Sequence, residues 1–229
     1  MKRLSLHLKS QAAILTLTLI IFTNSANAQH DSDSAFPQFL FPGFTQATLK
    51  MKDGNSQVLE MNYNKVSGKM VFKRNGKLYD LLNPEVVDTV YLQNVKFVRF
   101  GQSFYEEIFA APVSLFLNHK GSLVSTGKPS GYGTTSQTSR ISSLSGISTD
   151  NGYYNLELPP EFTVKDDPVY WIRKNNDWFS FTNIKQFLKI FPDKENNLKE
   201  FIKNNHIKIE SRDDLINLMS YCNKIITGF

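Results

Sequence analysis

The chain has 229 residues, of which 41% are hydrophobic, 21% charged and 13% aromatic. This balance excludes collagen-like, wholly disordered and polytopic membrane proteins. The formal net charge is +5, and the single cysteine, Cys222, excludes an internal disulfide, so the fold must be held by its core.

The N-terminus reads as a secretory signal over residues 1–28. Lys2, Arg3 and Lys9 form a positive start, Ala12 to Phe22 is apolar apart from Thr16 and Thr18, and Ala26-Asn27-Ala28 fits a small-x-small cleavage site. The apolar run is short against the roughly 20 residues a membrane helix needs, so no transmembrane segment is expected after cleavage. Removing three of the 26 basic residues and none of the 21 acidic ones leaves a net charge of +2. The basicity therefore belongs mostly to export, and nucleic acid is not an expected partner. Gln29 follows the cleavage site, so the acylated cysteine of a lipoprotein is absent. Residues 29–35 form a polar tail.

From Phe36 to about Lys120 the sequence predicts strands: Thr45 to Lys52, Gln57 to Tyr63, Lys69 to Lys73, Leu78 to Leu82, Val86 to Leu92, Val95 to Phe100, Phe104 to Phe109 and Val113 to Leu117. Asp53-Gly54 and Asn75-Gly76 supply the positive φ angles of tight hairpins. Leu59, Met61 and Tyr63 alternate with Glu60 and Asn62, placing the first set on a core and the second toward water. This is an antiparallel meander rather than a series of βαβ units.

Between Gly121 and Gly152, 20 of 32 residues are Ser, Thr or Gly. Such a stretch buries too little apolar surface to offset its ordering entropy, so it reads as a long loop, 121–152, inserted in a β domain spanning 36–181. Returning strands are expected at Tyr153 to Leu158, Val169 to Arg173 and Trp178 to Phe181, the last two joined across Asn175-Asn176-Asp177. Residues 182–229 are then helical. Thr182 caps a helix carrying Ile184, Phe187, Leu188 and Phe191; Asp193 caps one carrying Leu198, Phe201 and Ile202; Ser211 caps a third, with Asp213 and Asp214 in its first turn. The expected fold class is α+β: an antiparallel meander or sandwich-like domain with a long Ser/Thr/Gly loop and three short C-terminal helices. Cys222 shares a helical face with Leu215, Leu218, Met219 and Ile225, which makes it a buried apolar side chain. Lys185, Lys189, Lys199 and Lys203, interspersed with Asp193, Glu195 and Glu200, form a solvated face of mixed sign.

The motifs test poorly against known chemistries. His119 and His206 lack ligand partners at metal-binding spacing. Gly121 to Lys128 has five residues between its glycines where a P-loop has four, and Pro129 stands where the magnesium-binding hydroxyl belongs. Ser125-x-x-Lys128 lacks the companion motifs of a serine hydrolase. Glu106 and Glu107 are neighbours on a strand and so face opposite ways, while Asp166-Asp167 before Pro168 reads as a turn. No catalytic residue, cofactor or metal site is assigned. Candidate ligand-binding residues lie in the glycine-rich loop: Lys128 as a cation, Tyr132 flanked by glycines, and Gln137 and Arg140 as hydrogen-bonding groups for a carboxylate, phosphate or sugar.

Asp53-Gly54, Met61-Asn62-Tyr63-Asn64, Asp88-Thr89-Val90-Tyr91, Phe104-Tyr105-Glu106, Ala111-Pro112-Val113-Ser114-Leu115, the stretch from Gly127 to Ser139, Phe191-Pro192-Asp193 and Tyr221-Cys222-Asn223 resemble a group of exported proteins of Bacteroidetes-type bacteria. The resemblance covers nearly all of the mature chain and implies a location in the periplasm or cell envelope, outer-membrane association included, but no activity. The expected function is that of a non-enzymatic binding or interaction module whose partner is an envelope protein or a small anionic or sugar ligand. The alternatives are a hydrolase of envelope glycan or peptide, and a component of an outer-membrane assembly.

Overall fold

The computed structural model of the protein describes residues 36–125, 140–141, 158 and 162–228. The expected signal segment, the polar tail, most of the 121–152 stretch and the expected strand Tyr153 to Leu158 lie outside these residues, save Leu158, which belongs to no strand.

Ten strands form one antiparallel sheet: β1 (Thr45–Met51), β2 (Ser56–Asn64), β3 (Lys69–Arg74), β4 (Lys77–Asp80), β5 (Val87–Leu92), β6 (Val95–Phe100), β7 (Ser103–Phe109), β8 (Ser114–Asn118), β12 (Val169–Lys174) and β13 (Asp177–Phe181). Their spatial order is β13-β12-β8-β7-β6-β5-β1-β2-β3-β4. The sheet is thus two meanders, β1 to β4 and β5 to β8, joined where β5 pairs with β1 and extended where β12 pairs with β8. Asn75 and Gly76 (φ 52° and 73°) turn β3 into β4, and Asn175 and Asn176 (φ 53° and 69°) turn β12 into β13, as a two-residue hairpin with right-handed strand twist requires. A second, three-stranded sheet has the order β10-β9-β11, built from β9 (Gly121–Ser125), β10 (Arg140–Ile141) and β11 (Phe162–Asp166).

Gly121–Ser125 corrects the reading of that stretch as the start of a loop. Leu123 is buried, and pairing with β11 from Phe162↔Ser125 to Asp166↔Gly121 satisfies its backbone. Hydroxyl-rich composition hides this strand because its stability comes from a partner about 40 residues away, not from its own side chains.

The large sheet curls. β3 approaches β7 with four strands between them in the hydrogen-bonded order, and Phe104 N–H donates across the seam to Gly68 O at 3.3 Å. Inside the curl lie Leu49, Met61, Tyr63, Val90, Phe97 and Phe104. Asn62 does not face water as the alternation predicts. The 36–44 segment folds over that side of β2, packing Phe39 on Val71 and Leu78. The Asn62 amide then replaces strand partners: Oδ1 accepts from Phe41 N (3.2 Å) and Tyr63 N (2.8 Å), and Nδ2 donates to Phe41 O (2.9 Å) and Gly43 O (3.0 Å).

The other half of the sheet is covered by helices α1 (Ile184–Lys189), α2 (Glu195–Asn204) and α3 (Arg212–Thr227). Leu115, Ile172 and Phe181 from the strands meet Phe187, Leu198 and Leu218 from the helices in a second core. A bulge between Glu107 and Phe109 lets both Ile108 and Phe109 reach it. Two caps differ from expectation. Asn183, not Thr182, caps α1, its Oδ1 accepting from Gln186 N at 3.0 Å, while Gln186 Oε1 reaches back to Thr182 N at 2.7 Å. Asp193 is absorbed in a 3-10 turn, Pro192–Lys194, and α2 starts without a side-chain cap, because Pro192 presets φ for a turn one residue earlier. Ser211 caps α3 as expected, accepting from Asp214 N at 3.3 Å. Among the described residues no helix is long and apolar enough to cross a membrane.

Candidate functional site

Strand alternation on β7 turns Phe104 and Glu106 inward and Tyr105 and Glu107 outward. Glu106 is consequently a carboxylate with 3% exposure, a position that needs partners. His119 Nε2, in the turn after β8, lies 2.5 Å from its Oε2, and Arg212 Nη1, at the start of α3, donates to Oε1. Burial alone would push this carboxyl up. The hydrogen bonds and charges of His119 and Arg212 outweigh burial and hold it below the ordinary carboxylate value. An ionised carboxylate only accepts, so the His119 Nε2 carries the proton. The imidazole meets the Tyr63 ring at 6.2 Å, edge to face. The sequence hints at this cluster only through a carboxylate in the inward register between Phe104 and Ile108; its arginine lies 106 residues further on.

Beside the cluster opens a cleft of about 620 Å³ whose lining includes Lys120, Ser122, Asp166, Asp167, Tyr170 and Glu210. Gly121 allows β9 to close in: a Cβ there would stand 2.8 Å from Val164 Cγ1, and Gly121 N donates to Lys65 O at 2.9 Å. The aspartates of the cleft are engaged. Asp166 pairs with Lys65 at 2.7 Å, and Asp167 accepts from Ser122 Oγ at 2.9 Å and faces Lys165 at 3.6 Å. A hydroxyl that donates to a carboxylate, without an imidazole to take its proton, is a weak nucleophile. Cys222 is buried in the helical core, where burial pushes its thiol up to about 12, an unreactive state.

The opposite face of the sheet carries a second concavity, about 330 Å³, lined by strands and the β1–β2 turn alone. Its lining includes two rings, the buried Phe116 and the half-buried Trp178, which belong to a wider ring cluster on this face of the sheet. Phe100 stacks on Tyr105 at 4.6 Å and meets Trp178 at 4.7 Å; Trp178 meets Phe116 at 4.9 Å, and Tyr105 stacks on Trp171 at 5.9 Å. These rings come from five strands brought side by side by the registers of β6, β7, β8, β12 and β13. Above them the exposed Arg173 guanidinium lies 5.4 Å from the Phe116 centroid and 5.8 Å from that of Trp178. Lys96 is neutralised by Glu107 at 2.7 Å, and Asp88 accepts from the Thr89 hydroxyl at 2.9 Å. Among the described residues, Arg173, Lys52 and Arg99 of this lining pair with no carboxylate. The groove therefore sets Trp178 among lining residues with an excess of positive charge.

Of the residues expected to bind ligand, Lys128, Tyr132 and Gln137 lie outside the described residues. Arg140 opens β10, opposite Val124 of β9, the strand that supplies Gly121 and Ser122 to the cleft. The groove residues are hidden in the sequence because Phe116, Arg173 and Trp178 are ordinary strand residues until register aligns them. Comparison of the chain with family models, with curated proteins and with solved structures returned no match.

Proposed function

We propose that the chain is an exported cell-envelope protein that acts as a non-enzymatic binding module for a small anionic or sugar ligand, held in the groove on the sheet face opposite the helices. The observation that carries this reading is the placing of Trp178 beside cations that lack carboxylate partners among the described residues. Aromatic rings with polar neighbours are the surface chemistry of recognition, and a guanidinium resting on rings keeps its in-plane donors free for an incoming anion. Export is supported by the residues 1–28 pattern of positive start, apolar run and small-residue site.

Titration calorimetry against a panel of neutral and acidic envelope oligosaccharides tests the binding. Saturable binding that Trp178→Ala weakens about tenfold or more, a typical loss for a central ring contact, is the expected result, and turnover of any panel member contradicts the module. Intact-mass measurement of native protein should give a chain starting near Gln29.

A second reading, membership of an outer-membrane assembly, draws support from β13. It closes one edge of the large sheet and pairs only with β12 among the described residues, with Phe179 39% exposed. An unprotected edge accepts a partner strand. Photocrosslinking from position 180 in cells should then capture a partner, and an uncoupled chain would count against this reading.

A further inference from the structure

We infer that the groove selects acidic sugars, with Arg173 as the residue that reads the ligand's carboxylate. This rests on the groove being the binding surface and goes further by naming the ligand's charge and the side chain that recognises it.

The surface is a sheet face, so its backbone N–H and C=O groups are spent in the ladders to neighbouring strands. An extended peptide laid there would find no ladder partners for its own amides, and burying them unpaired is costly. A pyranose has no such demand. Its C–H face can lie on Trp178, the half-buried ring of the lining, while its hydroxyls stay toward water. That geometry favours a saccharide over an acidic peptide.

Charge then narrows the class. Glu107 cancels Lys96, which leaves Lys52, Arg99 and Arg173 against Asp88 in the lining. Of the three cations, Arg99 is directed by its Nη1 to Gly101 O at 2.8 Å. Arg173 is the one held over rings of the lining, Phe116 and Trp178. A guanidinium preorganised in this way loses little freedom when it forms two parallel hydrogen bonds to a carboxylate. A uronate in the groove would place its ring on Trp178 and its carboxylate on Arg173.

The test uses the full chain, with oligogalacturonate as probe, its methyl ester as the neutral isostere and polyglutamate as the acidic peptide. Oligogalacturonate should bind at least about tenfold tighter than the ester, the scale of a charge-assisted hydrogen-bonded pair. Arg173→Gln should erase that difference without lowering thermal stability, since the side chain is exposed, and Lys199→Gln, on α2, should leave it intact. Equal binding of acid and ester, both lost in Trp178→Ala, overturns charge selection and leaves the binding module standing. Polyglutamate binding as tight as oligogalacturonate overturns the sugar class. A preference that survives Arg173→Gln overturns the assignment of that residue, and no binding of acid or ester overturns both the selection and the module.

Discussion

Two residues carry most of what the sequence concealed, and both are polar groups turned inward. Asn62 looks like the outward member of an alternating strand. It is buried because the 36–44 segment covers it, and its amide bonds Phe41 and Gly43. Glu106 is separated from Glu107 by strand alternation, but its partner Arg212 comes from distant chain. Its lowered pKa carries a stability consequence. With a folded value below the ordinary 4.5, ionised Glu106 stabilises the fold fully above about 4.5, and the contribution fades as pH falls through the folded value. Glu106→Gln should therefore lower unfolding free energy at pH 7 by about 1–3 kcal/mol, the cost of weakening charge-assisted hydrogen bonds. In urea titrations the gap between wild type and variant should hold from pH 7 to 5 and narrow toward pH 3. A gap that is unchanged or wider at pH 3 would remove the ionised carboxylate from the account.

At the scale of elements, the sequence was legible wherever local chemistry decides. Asn75-Gly76 and Asn175-Asn176 announce hairpins because few other residues take both central φ angles, and the 3.6-residue apolar spacing announces the helices. It was illegible where pairing decides, as in β9, where Gly and Ser leave only Leu123 and Val124 apolar, and in the two-residue β10. Gly68 shows how a seam can hang on one position. Its φ is +71°, and a Cβ would stand 2.8 Å from Ser103 Oγ, whereas Gly54 has φ +89° with nothing within 4 Å. Both alanine variants pay the left-handed strain of about 1–2 kcal/mol. Gly68→Ala adds the collision, and its carbonyl anchors Phe104 N across the curl. Chemical denaturation should therefore show Gly68→Ala less stable than Gly54→Ala by at least about 1 kcal/mol. Equal losses would mean that Ser103 rotates away without cost and the seam tolerates a methyl group.

For the whole molecule, the consequence of one curled sheet is that it holds two large cores, beside the small cluster of Phe39, Val71 and Leu78. Leu49, Met61, Val90 and Phe97 fill the curl, while Leu115, Ile172 and Phe181 depend on helices for cover. The joint between helices and sheet is partly polar. Asn223 of α3 mimics a strand partner for Val113, accepting from its N at 3.0 Å and donating to its O at 2.9 Å, and Arg212 holds Glu106. Clusters separated in this way should open separately. Leu218→Ala removes a fully buried side chain from the helical core alone and should cost about 2–5 kcal/mol there. In native-state hydrogen exchange, amides of Leu115 and Ile172 should then lose protection while those of Val90 and Phe97 keep most of theirs. The groove draws Phe116, Arg173 and Trp178 from the weakened half and Val98 from the other, so the binding proposed for it should fall in the same variant before the curl itself melts. Uniform loss of protection across both halves would show a single cooperative unit, in which the helices stabilise the curl as much as the strands they touch.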